Sequence, residues 1–221
     1  DVMETGSGTT VEAEPAESAE LIKQRTIRAK DLRLLFVQAR KPELQERDRR
    51  ATYMRKRAEL RKTCRDDLRR SNRDTKFTVL QECYKEELEL EEDFLMQRIV
   101  RLKTLPGVTT LVRNAAVSRN QLLLDAISTI LFAIDSNVYS ETEELTEAKK
   151  SLYDRYRVPA WDADVSVRLD RMLAVAAALI IRLDAVIAAD ASAETPNPAW
   201  QKARDCMATE ESAVRTTLEA E

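Results

Sequence analysis

Apolar positions recur along this chain at helical spacing. From Pro42 to about Lys103 there is no Gly and, after Pro42 itself, no Pro, so the pattern predicts one unbroken helix. At about 1.5 Å per residue that is a rod on the order of 90 Å. Its two halves differ. In the first, Tyr53, Leu60, Cys64, Leu68, Thr75 and Val79 form a narrow stripe that can dock one partner helix. In the second, Leu80, Tyr84, Leu88, Leu95, Ile99 and Leu102, with Leu90 and Phe94 beside them, form a wider surface expected to be buried on at least two sides.

Before the rod, a helix over about 19–40 carries Leu21, Ile22, Ile27, Leu32, Leu34, Leu35, Phe36 and Val37, and Pro42 is suited to open the next one. Leu105-Pro106-Gly107 ends the rod, with Thr109 or Thr110 as the following cap. A third helix over about 111–136 has the strongest periodicity, with Leu123, Ile127 and Ile130 at its centre. Ser140 with Glu143 reads as a capping box for a fourth helix ending before Pro159. Asp162 or Asp164 then caps a fifth, running to about Ala191. Its stretch from Met172 to Ile181 is apolar all round and is expected to be the most buried element, with Leu173, Ala177 and Ile180 inside. Asn197 and Pro198 open the sixth.

These faces predict an all-α protein in which a long helical rod, about 42–104, runs into a C-terminal antiparallel helical bundle. Three regions follow: a flexible acidic tail over 1–18, a basic helical arm over 19–76 projecting from the bundle, and the bundle itself over 77–221. The first helix either folds back on the rod across Pro42 or continues outwards.

Charge sharpens that division. The formal net charge of −3 conceals 20 Lys and Arg against 8 Asp and Glu between residues 21 and 76, whereas residues 1–20 hold six acids and no base. Arg55, Lys62, Arg69 and Lys76 repeat every seven residues opposite the apolar stripe, and Arg57, Arg61, Arg65 and Arg73 fill the intervals. Cys64 and Cys83 lie 19 positions apart on what is expected to be one helix, about 28 Å, beyond disulfide reach. Free thiols in a reducing, intracellular compartment are therefore expected. The chain begins at Asp1, which fits a processed or truncated product and an organellar, for example mitochondrial, destination. The longest apolar run, Met172–Ile181, is closed by Arg171 and Arg182 and is too short for a membrane span.

The chemistry the sequence excludes is extensive. Without a single His there is no Ser-His-Asp or Cys-His catalysis, no Glu-x-x-His di-iron pattern and few routes to zinc. With three scattered glycines there is no phosphate-cradling loop. The acidic run from Glu86 to Asp93 lies on a helix, which cannot wrap a cation, and reads as a solvated face or a contact with basic neighbours. Asp125, Asp170 and Asp184 read as salt-bridge partners for Arg113, Arg119, Arg168, Arg171 or Arg182. No enzyme activity, catalytic residue, cofactor, metal or small-molecule substrate is expected.

The basic face, Arg55, Arg57, Arg61, Lys62, Arg65, Arg69, Arg73 and Lys76, is the candidate partner-binding site. The expected function is that of a non-catalytic structural subunit of a large multi-protein assembly, bridging neighbours with acidic surfaces through the basic helix. The alternative is an RNA-binding component of a ribonucleoprotein, such as a peripheral ribosomal protein. Between Arg47 and Lys76, Tyr53 is the one aromatic, which limits base stacking.

Overall fold

The computed structural model describes residues 19–191 and 197–219, so the acidic tail expected over 1–18 lies outside the described residues. The chain forms α1 (Ala19–Arg70), α2 (Lys76–Thr104), α3 (Thr110–Asp135), α4 (Thr142–Leu152), a π turn (Tyr153–Arg157), α5 (Val158–Asp190) and α6 (Pro198–Glu219). The protein is all-α, with no strand among the described residues.

The rod is not continuous. It breaks at residues 71–75, Ser-Asn-Arg-Asp-Thr, and α2 folds back antiparallel along α1. Neither Gly nor Pro is needed for this. Asn72 Oδ1 accepts the backbone N–H and the hydroxyl of Thr75, each at 2.9 Å, and the Ser71 hydroxyl donates to the Leu68 carbonyl at 2.9 Å. Short polar side chains compete here with the helical backbone for its own hydrogen bonds. The proline expected to divide the first two helices does not do so, and α1 passes through Pro42. Strong helix formers on both sides, Ala39, Arg40 and Lys41 before it and Leu44, Gln45 and Glu46 after, compensate for one lost backbone bond.

Gly107, at φ +71°, turns the chain from α2 into α3, and the Ala174 Cβ of α5 lies 3.5 Å from where a side chain would sit. Thr109 is the N-cap of α3, but its side chain makes no capping bond, and its N–H donates to Asp170 Oδ2 at 2.6 Å. The expected capping box of α4 is displaced by one residue, to Glu141 and Glu144. Glu144 Oε2 gathers the N–H groups of Ser140 and Glu141 and the Ser140 hydroxyl, which fixes the register. α4 ends at Leu152, before Pro159 as expected, but the chain does not leave the helical path there. The path continues through the π turn, whose wider hydrogen-bond step lets Pro159 fall in the first turn of α5, where a missing N–H is harmless. Asn197 caps α6 as expected, accepting the Ala199 N–H at 3.0 Å.

The main core joins Tyr84, Leu88 and Leu95 of α2 to Leu123, Ile127, Ile130, Leu131 and Ile134 of α3, closed by Leu145, Leu152 and Ala160. A smaller cluster, Leu102, Val108, Ala116 and Val167, sits under the α2–α3 turn. Because Ile127 is fully enclosed, Ile127→Ala should cost about 2–5 kcal/mol. Denaturant unfolding checks this, and an unchanged midpoint would contradict the core assignment.

The centre of α5 is not the most buried element. Leu173 is buried, but Ala177 and Ile180 are only half-buried, and Met172 and Ile181 are 54% and 68% exposed. The α2–α3 turn meets α5 near Asp170 and Ala174, so beyond that level α2 and α3 no longer flank the helix and α6 is its main neighbour. Two stretches, Thr110–Asp135 and Thr142–Asp190, each hold an 18-residue window long and apolar enough to cross a membrane by length and composition. The first is the core helix α3. The second extends the apolar run past Arg182, and 11% of its window is buried.

Candidate interaction surface

The face of α1 that meets α2 is set by the predicted narrow stripe. Tyr53 stacks on Phe94 with ring centroids 4.5 Å apart, and Tyr53, Leu60, Cys64 and Leu68 are all partly buried. Cys64 and Cys83 form a disulfide with Cα atoms 5.5 Å apart. This corrects the expectation of free thiols here: the 28 Å separation assumed one straight helix, and the 71–75 turn removes it. Cys206 is free and exposed.

Below the disulfide, α2 presents charged groups on its inner face. Glu87, Glu91 and Arg98 are buried beside Tyr84, Leu88 and Leu95, on the same helical stripe. Glu87 Oε1 accepts from Arg57 Nε at 2.6 Å and from Arg61 Nη2 at 2.6 Å. Glu91 holds Arg157 in a two-pronged pair, with Nε at 2.9 Å from Oε1 and Nη2 on Oε2. Arg98 binds Asp164 through Nε at 2.9 Å, and its Nη1 reaches Glu46 at 2.5 Å. Asn120 completes the layer, donating to Asp164 at 3.3 Å and to the Ala116 carbonyl. Part of the acidic run is therefore interior, meeting basic neighbours, while Glu86, Glu89 and Asp93 face solvent.

The electrostatics of this seam follow its geometry. Burial acts to raise the Glu87 carboxyl, but the Arg61 hydrogen bond and the Arg57 charge outweigh it and hold Glu87 below the usual range. That contribution to stability is present above about pH 4.3, the ordinary Glu value, and is lost as pH falls through the lower folded value. Asp164 goes the other way, because burial raises it more than Arg98 and Asn120 lower it. Desolvation pushes the Tyr53 hydroxyl up to about 12 and also raises Tyr84.

Of the eight residues in the candidate basic face, two are engaged inside the hairpin. The Arg57 side chain is 11% exposed and the Arg61 side chain 52%, both on Glu87. Arg55, Lys62, Arg65, Arg69, Arg73 and Lys76 are exposed, with Arg73 in the turn and Lys76 at the start of α2. At 3.6 residues per turn, Arg55, Lys62, Arg65 and Arg69 fall within an arc of about 80° on the side of α1 away from α2. Arg69 lies 3.7 Å from Asp66. The basic half of α1 thus lies along the bundle rather than projecting from it, and its outer side carries the cations.

The other acids have partners different from those expected. Asp125 accepts from Gln121 at 2.9 Å, Asp170 caps α3, and Asp184 pairs with Arg204 at 3.0 Å. Arg113 instead donates to the Leu105 and Val108 carbonyls and so closes the α2–α3 turn. Among the described residues no group of three or more Asp, Glu or Cys is arranged to hold a metal ion. The buried seam is the feature the sequence concealed. Its signal was present: Glu87, Glu91 and Arg98 share the period of Tyr84, Leu88 and Leu95. No family model, curated protein or solved structure matches this chain.

Proposed function

We propose that this chain is a non-catalytic structural subunit of a large multi-protein assembly, held rigid by its bundle and joined to neighbours through the outer basic side of the α1–α2 hairpin. The observation that carries the reading is the set of six exposed cations, Arg55, Lys62, Arg65 and Arg69 on α1, Arg73 in the turn and Lys76 at the start of α2, on a hairpin whose inner side is already occupied. A charged strip on a rigid element suits an acidic protein surface, where complementarity sets register and association rate. Nucleic acid is the less favoured partner, because Tyr53 is stacked on Phe94 and withdrawn from any base. The disulfide favours a compartment in which such bonds persist over the reducing one expected from the cysteine spacing.

The test reverses the strip. Arg55→Glu, Lys62→Glu, Arg69→Glu and Lys76→Glu together touch no buried contact and barely change helix propensity, so the fold should survive. The expected outcome, read by circular dichroism and by co-purification from native extract, is a folded chain that no longer incorporates into its assembly. Normal incorporation would show that the strip is merely solvated. A partner lost with a log–log salt slope set by several phosphates would indicate RNA instead.

A further inference from the structure

A second concentration of positive charge lies at the other end of the hairpin, apart from the strip. Where α1, the α2–α3 turn and α5 meet, a cleft of about 310 Å³ opens. To its lining α1 contributes Arg47, Arg49 and Arg50, α2 contributes Arg98 and Arg101, and α5 contributes Arg168 and Arg171. Among the described residues Glu46 is the one carboxylate in that lining. The floor and one wall are apolar, formed by Leu44, Leu102, Leu105, Pro106 and Val167. From the outer basic strip alone, seven arginines converging here from three helices would not be foreseen.

Internal pairing does not neutralise them. Glu46 is shared by Arg98 at 2.5 Å, Arg101 at 3.2 Å and Arg49 at 3.9 Å, and Asp164 pairs with Arg98 while Arg50 reaches it only through its longer-range charge. Among the described residues no carboxylate lies within ion-pair distance of Arg47, Arg50, Arg168 or Arg171. Arg101 shows the shortfall most clearly. Its Nε is buried and, although 3.2 Å from Glu46, makes no aligned hydrogen bond. Burial lowers its guanidinium from the usual value, and the like charges of Arg49 and Arg98 add to that against the pull of Glu46. Gathering like charges in a partly desolvated cleft is unfavourable unless an anion completes it.

We infer that this cleft binds a ligand bearing two or more phosphoryl groups. Guanidinium forks from several directions suit the tetrahedral, multiply charged phosphoryl oxygens. The volume is at the lower end of small-molecule sites, about 300–1,000 Å³, and the apolar wall gives the organic part of the ligand a surface. The same chemistry is offered by a soluble polyphosphate and by the headgroup of an anionic lipid. The exposed apolar side of α5 begins beside Arg171, at Met172, so both sources are included in the test.

The experiment uses the full chain at about 0.15 M ionic strength, where weak surface attraction is largely screened. Inorganic tripolyphosphate is titrated by calorimetry. Sedimentation is measured in parallel with phosphatidylcholine vesicles, plain or doped with phosphatidylinositol bisphosphate. Binding of tripolyphosphate identifies a soluble ligand, and binding of the doped vesicles alone identifies a lipid headgroup. In either case the Arg47→Gln, Arg50→Gln, Arg171→Gln variant, which breaks no internal ion pair, should bind at least ~10-fold more weakly. A variant with the same loss of charge outside the cleft, Arg55→Gln, Lys62→Gln, Arg69→Gln, should bind as the parent does. Equal weakening in both variants, or no binding of either probe by the parent, would overturn the proposal. Because the control variant alters the outer strip, failure here leaves the assembly reading separately testable.

Discussion

Glu91→Ala should destabilise the protein by about 3–5 kcal/mol, because it strands the Arg157 guanidinium inside the bundle. The two side chains are 6% and 3% exposed, and they bind through two parallel hydrogen bonds. Their attraction offsets the cost of removing both charges from water only while both are present. The complementary experiment separates pairing from burial. Glu91→Leu combined with Arg157→Met replaces the pair with apolar groups of similar volume and should lie near the parent in stability, or above it. Urea unfolding of the two variants decides the matter. A Glu91→Ala midpoint within error of the parent would show that Arg157 finds water, and that the seam is not interior.

The second large effect concerns the staple between α1 and α2. The Cys64–Cys83 bond spans 19 positions, and closing a loop of that size lowers the entropy of the unfolded chain by an amount worth about 3 kcal/mol at 25 °C. Cys64→Ser, or reduction of the parent, should lower stability by about that much. The loss should leave the α2–α3 core assembled, since its largest enclosed residues, Leu88, Leu123 and Ile127, lie away from the hairpin tip. Equilibrium unfolding with and without reductant measures it, and identical curves would show that the bond closes no loop in solution.

How far the sequence disclosed this structure depends on which force acted at each position. Periodicity located α3, the buried face of α2 and the core residues Leu123, Ile127 and Ile130, because apolar burial there dominates everything else. It failed at 71–75, where the break comes from Asn72 and Ser71 bonding to nearby backbone and side-chain groups, a local competition that the absence of Gly and Pro does not reveal. That error carried the cysteines with it, since a straight rod holds Cys64 and Cys83 apart. It failed again on α5, whose all-round apolar sequence describes what the helix could bury, not which neighbours reach it. The outer strip was legible from seven-residue spacing. Arg57 and Arg61 were not distinguishable within it, because their partner Glu87 is supplied by α2, and the arginine cleft was hidden for the same reason: its walls come from three separate helices.

In the isolated chain the basic half of α1 is packed on α2 and presents one outer charged side. Hydrogen exchange of the lone, oxidised monomer is the measurement that decides whether this packing holds. Antiparallel pairing through Tyr53–Phe94, Glu87 with Arg57 and Arg61, and Cys64–Cys83 predicts strong amide protection over residues 50–70, approaching that of α2. A free basic helix of that length, with only a narrow apolar stripe, would exchange rapidly. Fast exchange over 50–70 beside a protected α2 and α3 would contradict the hairpin.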